Sequence, residues 1–299
     1  MPIKLGEIMS KSMKQFTDSV VNALNNMSDE KFPWVKPWRD MDTTYRNAFS
    51  NRKYSGLHNI LTCAMSEFTD CRYATFNQIR QEGGKLKMGT KATRLIAWRI
   101  NKIKQDDGTE KEIPLATSWC LFNVEQIEGI DFPDINKDIL NKDLIASDDV
   151  LQIYSDLKVN YKHDKSNIAC YKPSSDNIVL PHVQQYDELD KWINTALHEL
   201  VHWTATRVKR DCSNYSFDTE ARAMEELVAE LGAMFLSMQL NVNGYMNEQN
   251  LIYINSWKNT VNGKNGNRFI YKACKLAEES CKYIMANSNV FQKEEVAEM

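Results

Sequence analysis

The chain runs to 299 residues with a formal net charge of −3, a length that suits two domains with separate interiors. No apolar run approaches the roughly 20 residues that a membrane-spanning helix needs, and residues 1–25 lack the apolar core of a signal peptide, so neither a membrane partner nor secretion is expected. The near-neutral total conceals an asymmetry: residues 31–104 carry 15 Lys/Arg against 5 Asp/Glu, whereas the rest carries 22 against 35, as if one half met a polyanion and the other did separate work.

Apolar positions at Ile8, Met13, Phe16, Val20, Val21 and Leu24 recur at helical spacing and predict an opening helix over 5–28. Pro33 and Pro37 then hold an extended segment that displays Trp34 and Trp38 beside Lys36 and Arg39. A polar, basic turn with Tyr45, Arg46, Arg52, Lys53 and Tyr54 leads into helices over 57–68 and 75–82, the second ending at Gly83-Gly84. Alternation over 85–104 predicts two strands joined near Met88-Gly89-Thr90. A turn at Asp106-Asp107-Gly108 and a return strand over 116–123 complete a small α+β domain spanning 1–130. Residues 131–149 are acidic and Pro-interrupted and form the expected linker. Beyond it the pattern predicts a helix over 150–157, short strands over 168–171 and 177–180, then helices over 186–207, 218–240, 246–260 and 267–287. The fold class is therefore α+β in two domains, the second (150–299) mostly helical.

Single-stranded nucleic acid is held by cationic grooves with aromatic faces on which bases stack, at about 1–3 kcal/mol per base. The basic half supplies both. Its candidate contacts are Trp34, Lys36, Trp38, Arg39, Tyr45, Arg46, Arg52, Lys53, Tyr54, Lys85, Lys87 and Lys91, while Phe76 and Trp98 read as core. No zinc finger, RNP signature or basic zipper is present, so binding to single-stranded DNA is expected to be weakly specific and strongly salt-dependent.

The sharpest local signal is His198-Glu199-Leu200-Val201-His202, which holds two of the chain's five histidines. On a helix, positions i and i+4 share a face, so both imidazoles can bind one Zn²⁺ while Glu199 stands beside them as a candidate general base; the plainer alternative is an ordinary surface helix. Such an ion lowers the pKa of bound water from about 15.7 to about 7. A third ligand is needed. The longer metzincin word is ruled out, because Ala205 and Val208 stand where it requires glycine and histidine. The following amphipathic segment offers carboxylates instead: Glu226 as the third ligand, Glu230 one turn on to orient a ligand histidine, and Glu225 or Glu220 as alternatives. Mn²⁺ can share such a site with Zn²⁺. The strand over 176–180 is a candidate partner for an extended peptide substrate, and His182 reads as structural or at the cleft rim. The seven cysteines form no CxxC pair and are odd in number, which fits reduced thiols in a cytoplasm; Cys274 and Cys281 are expected as buried free thiols.

Several of these words occur together in a known family. Pro33-Trp34-x-Lys36-Pro37-Trp38, Tyr54-Ser55-Gly56-Leu57-His58-Asn59, Gly84-x-x-x-x-Gly89-Thr90-Lys91 and Leu121-Phe122-Asn123-Val124-Glu125-Gln126-x-x-Gly129 resemble the N-terminal domain of ArdC-type antirestriction proteins and TraC-type plasmid primases. Tyr171-x-Pro173-x-x-Asp176-x-Ile178, the His198–His202 word and Glu225-Glu226-Leu227-Val228-Ala229-Glu230-Leu231-Gly232 are similar to the zincin-like metallopeptidase domain of ArdC. The resemblance implies a single-stranded-DNA-binding domain fused to a metallopeptidase fold, carried on a plasmid, phage or related mobile element and shielding incoming DNA from host restriction. One departure is Ala205-Thr206, where family members often have Gly-His. Two other functions remain open: a metalloprotease that cleaves DNA-associated proteins such as restriction subunits, and a DNA-binding protein with a purely structural metal.

Overall fold

The computed structural model describes residues 16, 18–19, 45–66, 68–104, 110–133, 147–165, 168–210, 219–240, 242 and 266–292. Most of the predicted opening helix, the turn at 106–108, the helix over 246–260, and Trp34, Lys36, Trp38 and Arg39 lie outside them, as does the side chain of Trp98.

The first half is organised by a four-stranded sheet in the order β1-β2-β5-β4. β1 (Arg46–Asn47) runs parallel to β2 (Arg72–Thr75), and β2 runs antiparallel to β5 (Glu110–Asn123). β5 in turn pairs with β4 (Thr93–Lys104) without interruption from Thr93 opposite Leu121 to Lys104 opposite Glu110. The expected pairing of strands across Met88-Gly89-Thr90 does not occur. β3 (Lys85–Leu86) pairs instead with β6 (Ile127–Glu128), and the Lys87 amide donates to the Gln126 carbonyl, so the intervening turn carries the chain away from β4. Alternation sets which face a residue occupies but not which strand it meets.

Two helices brace this sheet. α1 (Leu57–Ala64) is shorter than its apolar spacing suggests, and Gly56 precedes it with φ 91°, a left-handed value that favours glycine. A Cβ on Gly56 would also lie 2.7 Å from Cε1 of His58. From α1 the Asn59 amide reaches the edge strand β4, accepting from the Ile96 N–H at 2.8 Å and donating to the Ile96 carbonyl at 2.9 Å. That covers part of an edge otherwise open to foreign strands. α2 (Phe76–Gln81) starts at a capping box, in which the Thr75 hydroxyl accepts from the Gln78 N–H and the Gln78 side chain accepts from the Thr75 N–H.

The second half places a three-stranded sheet in the order β7-β9-β8 beside a helical layer. β9 (Asn177–Pro181) lies between β7 (Asn160–Asp164), parallel to it, and β8 (Cys170–Lys172), antiparallel to it. This corrects the expectation that the strand over 176–180 receives an extended substrate, since both its edges are occupied. β7 escapes detection because its polar sequence, Asn-Tyr-Lys-His-Asp, has no apolar alternation.

Helices α3 (Ser147–Asp156), α4 (Leu189–Trp203), α5 (Thr219–Gln239) and α6 (Gly266–Ala286) form the helical layer among the described residues. α4 is buried on almost every side, with Trp192, Leu197, Leu200 and Trp203 in the core; each fully buried large apolar side chain contributes about 1.5–3 kcal/mol. Gly232 lets α5 approach α4 closely, for a Cβ there would stand 2.7 Å from Cγ2 of Val201. Cys274 and Cys281 are buried free thiols on α6, as expected. Apolar contacts continue from one half to the other, in one cluster that runs from Leu57, Tyr73 and Leu121 to Leu197, Leu227 and Cys281. α6 packs on α5 and also on α1, and the Leu57 N–H donates to Oε2 of Glu278 at 3.3 Å.

Candidate metal centre

The four-residue spacing on α4 sets the two imidazoles of His198 and His202 side by side, with their Nε2 atoms 3.0 Å apart. Oε2 of Glu226 on α5 lies 3.5 Å from the first and 3.7 Å from the second. A tetrahedral ion at about 2.0–2.1 Å from each ligand needs ligand atoms roughly 3.3–3.5 Å apart, so the triangle fits one zinc-sized cation. His198, His202 and Glu226 form the metal-competent group found among the described residues.

The carboxylates behind the histidines explain why those nitrogens face one another. Glu225 Oε1 lies 2.9 Å from Nδ1 of His202, and Glu230 Oε1 lies 3.3 Å from Nδ1 of His198. Each carboxylate favours a proton on Nδ1, which leaves both Nε2 lone pairs directed at the Glu226 oxygen. Three acceptors then converge, an arrangement that demands a cation or a proton. The electrostatics agree: burial alone would lower the pKa of His202, but Glu225 and Glu226 outweigh it and lift it to about 9. His198 is raised in the same way, burial being outweighed chiefly by Glu230 and Glu226. Burial would raise the Glu226 carboxyl, yet the two imidazoles hold it well below the usual carboxylate range.

Arg210 escaped the sequence reading altogether. Its buried guanidinium grips Glu225 through two hydrogen bonds, Nε to Oε2 at 2.8 Å and Nη2 to Oε1 at 2.7 Å. It also donates to the Val201 carbonyl at 2.9 Å and to Oγ of Ser280 on α6 at 2.6 Å. His202 and Arg210 together overcome the burial of Glu225 and hold its pKa at about 2. Glu225 thus faces the outer nitrogen of His202 and not the convergence point, while Glu220 is exposed. A single arginine 15 positions before its partner carries no sequence signal.

Glu199 is also buried, and its Oε2 accepts from the Tyr171 N–H of β8 at 2.7 Å. Burial raises its pKa above the ordinary carboxylate value despite both imidazoles. β8 is therefore the strand that touches this carboxylate. Its hairpin end is tied to the C-terminal end of α4, since Arg207 stacks 3.4 Å from the centre of the Trp203 ring and forms a two-point pair with Asp176. His182 is exposed and stacks on His163 at 5.0 Å, remote from any metal role.

The predicted nucleic-acid contacts separate into groups. Arg52, Lys53 and Tyr54 line a single large groove, whereas Arg46, Lys85, Lys87 and Lys91 do not. Lys85, Lys87 and Lys91 are exposed in and after β3, where Nζ of Lys87 donates to the Glu125 carbonyl at 2.7 Å. Tyr45 needs correction: it is buried edge-on against Tyr73, with burial pushing its phenol pKa up, so its ring offers no stacking face. Phe76 errs in the opposite sense, exposed at 47% on α2. Tyr54 is half-buried and donates its hydroxyl to the Tyr73 carbonyl at 3.1 Å.

Comparison with known proteins adds independent findings. A family described as the N-terminal domain of anti-restriction factor ArdC matches residues 10–122, and one described as zincin-like metallopeptidase matches residues 148–276. A DNA primase TraC of Escherichia coli is 29% identical over 273 residues, covering 83% of this chain and 25% of the primase. The chain thus spans about a quarter of that relative's length. An uncharacterised protein, y4eC of Sinorhizobium fredii, is 23% identical and is covered over 94% of its length by 95% of this chain. Among solved structures, the metal-free antirestriction ArdC protein from plasmid R388 superposes with a TM-score of 0.74 at 24% identity, covering 92% of this chain and 97% of that one. Its Mn(II)-bound form gives 0.73 at 23% identity, covering 94% and 99%. That likeness establishes the shared fold.

Proposed function

We propose that this chain, whose two parts match the N-terminal domain of anti-restriction factor ArdC and a zincin-like metallopeptidase, is an antirestriction protein that binds single-stranded DNA with little sequence preference and protects incoming mobile-element DNA in the cytoplasm. His198, His202 and Glu226 hold its divalent ion, with Glu230 and Glu225 orienting the two histidines. The observation that carries the reading is three converging acceptors on the same chain as a basic, aromatic-rich half. Two imidazoles and a carboxylate suit Zn²⁺ and also accept Mn²⁺. Metal analysis and single-strand binding, measured on wild type and on His198→Ala, test it. Wild type should hold about one ion per chain and bind single strands more tightly as salt is lowered, and the variant should lose the ion. Equal affinity for duplex and single strand, or none for either, overturns the DNA part.

A second reading is favoured by Glu199, a buried carboxylate fixed by the Tyr171 N–H beside the metal ligands: the protein cleaves a peptide bond in a DNA-associated protein such as a restriction subunit. A divalent ion held by His198, His202 and Glu226 would supply a Lewis acid for water and for the peptide carbonyl. Glu199 accepts a proton from the attacking water and delivers it to the departing amine, and its raised pKa suits it to both steps. His198 and His202 remain fixed by Glu230 and Glu225. The two readings part at Glu199→Gln: DNA protection that survives this change does not depend on peptide hydrolysis.

A further inference from the structure

We propose that the single-stranded DNA path runs through the groove between the first-half sheet and α6, so that a helix of the metallopeptidase domain forms one wall of the nucleic-acid site. This rests on the single-strand reading above and adds residues that reading does not contain. The groove has a volume of about 1160 Å³. Pockets for small molecules run to roughly 300–1,000 Å³, so the space suits a longer ligand. Arg52 and Lys53 line it from the turn after β1, and Lys275 and Lys282, seven residues apart on one face of α6, line it from the other side. Glu278 and Glu279 are its acidic lining residues, leaving a formal balance of +2. Glu278 is already engaged by the Leu57 N–H and by Nζ of Lys282 at 2.6 Å.

A further feature points to a base-bearing strand. Trp119 on β5 lines the groove and is 43% exposed, an aromatic face on which an unpaired base can stack. His58 on α1, buried between Phe16 and Tyr271, forms part of the groove wall, and burial pulls its pKa down so that the ring adds no charge there. A duplex, whose bases are already stacked, has no free face for Trp119.

The test uses the full chain and a fluorescent oligodeoxythymidine strand, with anisotropy measured across a salt series. Lys275→Gln with Lys282→Gln should lower the slope of log affinity against log salt by about 0.7 to 1.4, at roughly 0.7 per phosphate contact on a single strand, the upper figure requiring Lys282 to exchange Glu278 for a phosphate. Trp119→Ala should weaken binding about 5- to 150-fold, the equivalent of roughly 1–3 kcal/mol per stacked base, and Trp119→Phe should retain most of it. Unchanged unfolding temperature and metal content in these variants show that the fold is intact; a lysine pair that misfolds is replaced by Lys275→Gln alone, and a misfolded Trp119→Ala by Trp119→Leu, which keeps apolar bulk but removes the stacking face and should also weaken binding. If wild type binds and these variants bind within twofold with an unchanged slope, the strand lies elsewhere and only the groove assignment is overturned. If wild type shows no salt-dependent binding, the single-strand function falls and the groove with it.

Discussion

Replacing Arg210 by Met removes a guanidinium whose side chain is 3% exposed and leaves the buried Glu225 carboxylate without its two-point partner, still beside His202. Breaking a buried pair from one side costs about 3–5 kcal/mol, against a total stability of roughly 5–15 kcal/mol for a typical domain. Arg210 also donates to the Val201 carbonyl and to Ser280, so the upper part of that range is expected. Metal affinity should fall about 10- to 100-fold, the usual effect of losing a group that orients a ligand histidine. Adding Glu225→Gln to Arg210→Met removes the stranded charge, so thermal stability should largely return. Metal affinity should not, because an amide oxygen holds the Nδ1 proton less firmly than a carboxylate. Urea unfolding of the metal-free proteins and competition against a chromophoric chelator give the two quantities separately. If Arg210→Met keeps full metal affinity and loses less than about 1 kcal/mol, the chain of support from Arg210 through Glu225 to His202 is refuted.

Four other outcomes follow from the same geometry. Glu199→Gln should retain metal and single-strand binding while abolishing any peptide cleavage; a fully active variant would remove Glu199 from the chemistry. Metal binding should strengthen as pH rises toward about 9, by up to about tenfold per unit for each proton displaced, because the metal-free protein holds a proton at His202. In the metal-free protein the sign for stability is the reverse: the contribution of His202 is complete below its ordinary pKa of about 6.5 and fades as pH rises through about 9. Calorimetry in buffers of different ionisation enthalpy reads the proton release directly, and none at about pH 7 would contradict the protonated pair. Gly232→Ala, whose Cβ would press on Val201, should cost about 1–3 kcal/mol, and Val201→Ala in the same chain should show favourable coupling in a double-mutant cycle.

How much was legible in the sequence follows from the range of each interaction. His198 and His202 are placed side by side by a four-residue period within one helix, whereas the next amphipathic segment narrows the third carboxylate only to several candidates, and the assembled fold is what brings Glu226 to the two imidazoles. Helix positions are also local, as the Thr75–Gln78 capping box shows. Partnership is not. Whether β3 meets β4 or β6, and whether a polar stretch such as β7 completes a sheet, depends on segments far apart in the chain. Tyr45 and Phe76 are instructive together: polar neighbours surround the tyrosine, yet Tyr73 and the core bury it, while the phenylalanine on α2 faces solvent. Arg210 illustrates the hardest class, a charge whose role exists only once α4, α5 and α6 are assembled.

α6 carries Lys275 and Lys282 toward the groove, and Ser280 receives the Arg210 hydrogen bond that supports the metal centre. One rigid rod thus borders both sites. If a strand in the groove shifts that rod, it changes the geometry behind His202, and the law of linkage makes the effect mutual: whatever factor DNA applies to metal affinity, metal must apply to DNA affinity. Such a protein would read two conditions at once, the presence of an unpaired strand and the supply of a divalent ion, and would hold each more tightly or more loosely according to the other.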